Sequence, residues 1–378
     1  MDPQRFREQF PSLVDTTHLA SCSQGAIATR VTAALAEFAY LLRDQGAPWG
    51  PWMSEVERLR TSIAAFLGAS ADEIALVPSA SHAAYQAVGA LRFAEEDVVV
   101  SMAAEFPSVG QVLHACRPGE GQMRWVDDAS MREHGVVEAY RAQIDERTRL
   151  VSIPLALYTN GSLQPVNEIA KLAREVGARV LVDAYQATGV VPVDVAEIDC
   201  DYLVTGTLKY LLGLPGVAAL YARAGVEDEQ RPTMTGWFGR TDPFGFDPVA
   251  LDGPAAARRF ESGTPGIPAV YAAQAGLQVL AEVDPAARWR HVASLVEEAT
   301  ARLTEAGEVL SLPMPDARPG PQVALVDADP DALGRFLAER RIVTSPRGSI
   351  LRAAFHYYNS SEDVGKFCAA LAEYRRSA

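Results

Sequence analysis

Between residues 54 and 221 the chain alternates amphipathic helical patterns with short runs that are apolar at every position, and this alternation narrows the fold class. Helix-like patterns fall at 55–67, 81–91, 136–144 and 166–176, and strand-like runs at 74–77, 97–100, 150–153, 179–182, 202–204 and 217–221. A strand with one wet face alternates apolar and polar residues, whereas a run that is apolar throughout needs cover on both faces. Helices on both sides of a mainly parallel sheet supply that cover, so the pattern predicts an α/β fold. Residues 236–268 are rich in Gly, Pro and Asp and read as connecting loops. Two helical patterns follow at 269–282 and 286–306, broken at Asp284-Pro285, and a βαββα pattern closes the chain between 322 and 374. The expected division is an N-terminal segment, 1–16, packing on a domain; a large α/β domain, 17–262; and a smaller C-terminal α+β domain, 263–378.

Charge and cysteine usage exclude several functions. Acidic residues outnumber basic ones by 48 to 34, so nucleic acid and anionic membrane surfaces are repelled. No run reaches membrane-spanning length, and the N-terminus lacks the apolar core of a signal peptide. Cys22, Cys116, Cys200 and Cys368 show no paired spacing, which argues against a disulfide framework or a metal site and predicts a reducing, cytoplasmic setting.

Chemistry concentrates in residues 180–221. One buried strand ends in Asp183, with Gln186 just beyond it, and a second runs into Thr205-Gly206-Thr207-Leu208-Lys209. Ligands of open α/β sheets gather at the carboxyl ends of strands, so both Asp183 and Lys209 face the expected crevice. A lysine that condenses with an aldehyde and a carboxylate that keeps a pyridine nitrogen protonated suit pyridoxal phosphate. Upstream, the strand at 74–77 leads into Pro78-Ser79-Ala80-Ser81-His82, where small and hydroxyl residues open a helix whose N–H groups can bind phosphate.

Taken together, these segments resemble the class V aminotransferase family, which includes cysteine desulfurases, kynureninase, isopenicillin N epimerase-like proteins and cysteine C–S lyases. The likeness runs from about Thr17 to Tyr374. It implies an aspartate-aminotransferase-like large domain with a mainly parallel, seven-stranded type of sheet. Residue by residue, it makes Lys209 the Schiff-base lysine, Asp183 the partner of the pyridine nitrogen and Gln186 a donor to the ring's phenolic oxygen. It gives phosphate to Ala80, Ser81, His82 and Thr207, and a ring-stacking role to Phe106 in Glu105-Phe106-Pro107-Ser108. Thr264, in Phe260-Glu261-Ser262-Gly263-Thr264-Pro265, would reach the neighbouring subunit's site in a homodimer. Arg352, in Leu351-Arg352-Ala353-Ala354-Phe355-His356-Tyr357-Tyr358-Asn359, would clamp the substrate carboxylate, a task that suits a planar guanidinium fork. Tyr158 or Asn160 would face the substrate, and Cys22 lies in the turn that approaches it.

Two departures bear on the reaction. Leu208 stands where many relatives carry histidine, and residues 333–347 lack the mobile cysteine that persulfide-forming desulfurases need. The remaining parts, namely a lysine base, an electron sink and a carboxylate clamp, suffice for β-elimination from cysteine or an S-substituted cysteine. Transamination, epimerisation and decarboxylation-linked deamination are the rivals. A fold that has lost catalysis and binds a partner is the alternative of another class, and Lys209, Asp183, Gln186 and Arg352 together argue against it.

Overall fold

The computed structural model describes residues 1–117, 122–226 and 232–377. Its central sheet has seven strands, in the spatial order Ile74–Val77, Ala218–Ala222, Tyr202–Gly206, Arg179–Asp183, Thr148–Pro154, Val98–Met102 and Met123–Val126. Ala218–Ala222 runs antiparallel to both neighbours, and the other pairs are parallel. The apolar runs are apolar throughout because successive side chains enter different cores. Val180 and Val182 join one buried cluster and Leu181 the other, as a period of two requires. Met123–Val126 carries an arginine and is half-buried over most of its length, so it lacks the signature of a central strand and is not visible as an apolar run.

A three-stranded antiparallel sheet, Ser345–Arg347, Ile350–Ala354 and Gln322–Val326, forms the second layer system. It packs with the helices Pro285–Glu305, Pro330–Glu339 and Ser361–Ser377 around its own core. Asp284 caps the first of these helices by accepting from the Ala287 N–H, and Pro285 occupies its first turn, where a missing N–H costs nothing.

Two assignments at the expected domain edges change. The helix Ile267–Ala281, placed by sequence in the C-terminal domain, packs on Thr29–Gln45 and Trp49–Leu67 and shares the large core through Val270, Leu277 and Leu280. Its sequence is apolar nearly all round, which suits a helix enclosed by others. Conversely, Thr17–His18, placed in the large domain, pairs in parallel with Ile342–Val343 of the smaller unit. The N-terminal segment bridges the two units. Phe6, Phe10 and Leu13 are buried in the large core, the Phe10 ring lies 4.9 Å from that of Tyr358, and Arg7 pairs with buried Asp363 at 2.7 Å.

No helix among the described residues is long and apolar enough to cross a membrane.

Candidate active site

The register places Asp183 opposite Val204 on adjacent parallel strands, and the chain reaches Lys209 shortly after leaving the second strand. A tight turn follows. Leu212 N donates to the Lys209 carbonyl at 3.2 Å and Gly213 N to the Thr207 carbonyl at 2.8 Å, while Leu212 takes a left-handed φ of 61°. Gly25 packs directly on this turn. Its N–H donates to the Leu208 carbonyl at 3.2 Å, and a Cβ there would overlap the Lys209 carbonyl oxygen, so only glycine fits.

The Lys209 amine lies 3.9 Å from the centre of the Tyr185 ring and 5.6 Å from that of Phe106. Burial lowers its pKa to about 8; Asp183 and Cys22 oppose the shift, and Arg352 and Arg347 add to it. A base near 8 is partly unprotonated at neutral pH, as a proton-abstracting amine must be. Asp183 is itself pushed upward, chiefly by burial, against the N–H of Tyr185 (2.9 Å) and the charge of Lys209. Next to it sits Glu105, buried and raised to about 8 by desolvation and then by the charge of Asp183. Two carboxylates in one dry site cannot both ionise cheaply, so Glu105 holds a proton at neutral pH and leaves the negative charge on Asp183. Its Oε1 accepts the Phe106 N–H at 2.7 Å, fixing the turn that presents the Phe106 ring. Nothing local in the sequence gives Glu105 a role, because a residue after one strand carries no sign that it meets the end of another. Tyr185 was missed for the same reason.

Phe106 is 39% exposed on the lysine side of the site, and its ring meets that of Tyr158 edge-on at 5.3 Å. This separates the two candidates left open. Tyr158 faces the site, while the Asn160 side chain accepts from the Ser162 N–H (3.0 Å) and donates to the Leu312 carbonyl (3.2 Å), which makes it a turn residue. Thr207 also departs from expectation. Its hydroxyl has the carbonyls of Leu214 (3.0 Å) and Val217 (3.1 Å) as acceptors, so it closes the loop after Lys209 and its proton is not available to phosphate.

Ala80, Ser81 and His82 form the first turn of the helix Ala80–Gly89, capped by Ser79, whose hydroxyl accepts from His82 N at 3.2 Å. Ser81 Oγ lies 2.9 Å from Ser108 Oγ, which joins this turn to the segment carrying Phe106. Ser108 was not singled out from the sequence as a site residue.

Arg352 is buried and forms no ion pair with any carboxylate among the described residues. It donates to the Ser345 carbonyl (3.1 Å), the Ser345 hydroxyl (2.6 Å) and the Tyr158 carbonyl (2.7 Å). A guanidinium has five N–H donors, so these three neutral acceptors orient it and leave two donors for an anion. Cys22 comes close to Arg352, Lys209 and Ser345, but its thiol is enclosed and pushed upward by burial. Its carbonyl is the working group, accepting from Gln186 Nε2 at 3.2 Å. The C-terminal motif holds this turn in place. Tyr358 OH meets Ser21 Oγ at 2.7 Å, and Asn359 donates to the His18 carbonyl at 3.0 Å. His356, held neutral by burial at about 3, presents Nε2 to the Tyr210 carbonyl at 3.1 Å. Thr264 is exposed within one chain.

Lys209 thus lies within electrostatic reach of both Asp183 and the buried Arg352. The aminotransferase class-V family model matches residues 43–367. The chain belongs to the class V aminotransferases. It is 34% identical to the "Uncharacterized aminotransferase YcbU" of Bacillus subtilis, over 96% of this chain and 95% of that one. It is 29% identical to a "Probable cysteine desulfurase" of Methanothermobacter thermautotrophicus, over 82% and 81% of the two chains. In fold it is similar to the cystine C–S lyase C-DES, solved with its reaction product cysteine persulfide, with a TM-score of 0.88, 23% identity and coverage of 97% and 99%.

Class V aminotransferases are pyridoxal phosphate enzymes, and the residues of this chain fit that cofactor. Gln186 Oε1 and His82 Nε2, on segments that carry the site, are buried without partners, so each is open to a ligand there. Ala80, Ser81 and His82 would offer a helix N-terminus to the phosphate, Asp183 would offer a carboxylate to the ring nitrogen, Phe106 a ring face, and Lys209 the amine to the aldehyde.

Proposed function

We propose that this class V aminotransferase is a C–S β-lyase that eliminates a thiol from cysteine or an S-substituted cysteine. The observation that carries the reading is the buried, unpaired Arg352, which gives an α-carboxylate its site in the same cleft as the Lys209 amine. Bound pyridoxal phosphate supplies an electron sink conjugated to the substrate nitrogen. Arg352 fixes the α-carboxylate through its two open donors, and Tyr158 holds Arg352 from behind through its carbonyl. Lys209 Nζ takes the Cα proton, and its low pKa keeps it able to do so near neutrality. The Cβ–S bond then breaks, the sulfur leaves as a thiol carrying a proton, and the released enamine hydrolyses to pyruvate and ammonia. Asp183 keeps its negative charge because nearby Glu105, raised to about 8, is the carboxyl that holds a proton.

Nothing in the site offers a nucleophilic sulfur. Cys22 is enclosed with a raised pKa, and residues 333–347 contain no cysteine. Sulfur transfer through a protein persulfide is therefore disfavoured against direct elimination. With cysteine and S-methylcysteine as substrates, pyruvate and the corresponding free sulfide or thiol are expected in equal amounts. A 2-oxo acid that retains the sulfur would replace this reading with transamination.

We also infer a homodimer in which Thr264 reaches the partner's site. Thr264 is exposed in the single chain, and Phe246, Val249 and Leu251 are 72%, 90% and 75% exposed, apolar side chains that a second copy would cover. Trp237, Phe238 and Phe244 pack together with Trp49, so within one chain these aromatics form a packed loop. Sedimentation equilibrium is expected to give twice the chain mass, and a monomer would remove the cross-subunit role of Thr264. The free cysteines suit a reducing, cytoplasmic setting.

A further inference from the structure

A groove of about 1060 Å³ opens beside Tyr158, between the large unit and the Leu310–Met314 and Arg347–Ile350 stretches of the smaller one. It continues outward from the amino-acid site, because Tyr158 belongs to both: its ring meets Phe106, and its carbonyl holds Arg352. The small-unit wall is apolar, with Leu312 62% exposed and Val326 39% exposed. One cation on this wall stands apart. Arg347 is exposed and forms no ion pair with any carboxylate among the described residues. By contrast, Arg132 on the groove's other side lies 4.0 Å from Asp128.

The hairpin register fixes where Arg347 stands. Ser345 pairs with Arg352 and Arg347 with Ile350. Residues two apart on a strand share a face, so Arg347 projects from the same face as Ser345, whose hydroxyl holds Arg352. It stands about 7 Å further toward the hairpin turn, at roughly 3.3 Å per residue. Pro346, on the opposite face, comes close to Gly334 of the helix Pro330–Glu339, which turns the Arg347 face toward the cleft. The charge of Arg347 also reaches the Lys209 amine.

We propose that Arg347 is a second anion site, which selects α-amino acids whose side chain carries a carboxylate on an apolar arm. The α-carboxylate binds Arg352, the arm lies along Leu312 and Val326, and the distal carboxylate binds Arg347. This rests on the assignment of Lys209 and Arg352 to the substrate, but not on cleavage of a C–S bond. It narrows the proposed lyase substrates to S-(carboxyalkyl)cysteines over S-alkylcysteines.

The test uses binding, so that it stands apart from the reaction type. The holoenzyme is titrated with 2-aminoadipate and with norleucine, which has a neutral arm of similar length, and the change in the bound cofactor's absorbance is followed. The dicarboxylate is expected to bind at least about tenfold more tightly, the effect of one charge-assisted contact. Arg347→Met is expected to erase that preference by weakening 2-aminoadipate binding at least about tenfold, with a much smaller change for norleucine. Equal affinities in the parent enzyme, a preference that survives Arg347→Met, or no spectral response to either compound would each overturn the proposal. Failure of S-(carboxyalkyl)cysteines to yield pyruvate, with the binding preference intact, would remove only the lyase reading.

Discussion

Lys209→Ala is expected to end turnover and covalent attachment of the cofactor while making the apoprotein more stable at neutral pH. Loss of a positioned base costs about 10²–10⁴ in rate, and here the same side chain also bonds the cofactor, so a fall of at least about 10³-fold in kcat is expected. The stability gain has a separate origin. Burial lowers the amine's pKa to about 8, below the ordinary lysine value. Under these conditions the folded chain holds the proton less well than the unfolded chain, which penalises folding. That penalty is complete below about pH 8. It fades as pH rises from about 8 toward the ordinary lysine value and is absent above it. Denaturant titrations of the apoproteins at pH 7 and pH 10 are expected to show the variant ahead by up to a few kcal/mol at pH 7, with the gap closing at pH 10. A gap that widened at pH 10 would mean that the amine is not buried as described. The expected loss of turnover is read separately, from pyruvate formation by the holoenzyme.

The second large effect lies outside the chemistry. Arg60 and Glu261 form an ion pair with both side chains almost fully enclosed. Glu261 Oε1 also accepts the Leu76 N–H at 2.8 Å, and Arg60 donates to the Ile74 carbonyl at 2.8 Å. The pair therefore ties the segment leading to Thr264 onto the edge strand Ile74–Val77, just before the expected phosphate turn. Removing Glu261 leaves the buried Arg60 charge with half-exposed Glu57, 3.3 Å away, as its remaining acid partner, so the cost falls toward the low end of the about 3–5 kcal/mol for a broken buried pair. Glu261→Ala is expected to lower the urea midpoint accordingly, by that free energy divided by an unchanged slope. Replacing both residues with apolar ones, Arg60→Met with Glu261→Leu, is expected to recover most of the loss, since paired burial contributes little net stability. If the double variant were no better than the single one, the cost would lie in the lost bond to Leu76 and not in the stranded charge.

Much of the site was legible because its parts lie at the ends of buried strands. An unbroken apolar run identifies such a strand, and the residue that ends it must emerge at the sheet edge, so Asp183 and Lys209 could be placed from local pattern. The resemblance to class V aminotransferases supplied Arg352, which an isolated reading would leave as an edge-strand residue. Thr207 and Asn160 misled because a hydroxyl or amide near a site can serve a loop just as well as a ligand. Only the positions of the Leu214, Val217 and Leu312 carbonyls decide which. The helix Ile267–Ala281 was misassigned because neighbours in sequence need not share a core.

By itself the sequence determined the layered α/β architecture, the strand ends that carry the acid and the lysine, and the chemistry these residue types allow. These follow from periodicity and side-chain identity, which act over a few residues. The tertiary structure alone decided that Glu105 is buried beside Asp183 with its pKa raised, that Tyr158 rather than Asn160 faces the cleft, and that Arg347 stands on the face of Arg352. Each of those depends on segments distant in the chain meeting in a place with little water, where burial and nearby charge, more than residue type, decide which group keeps its proton and which donor is left open.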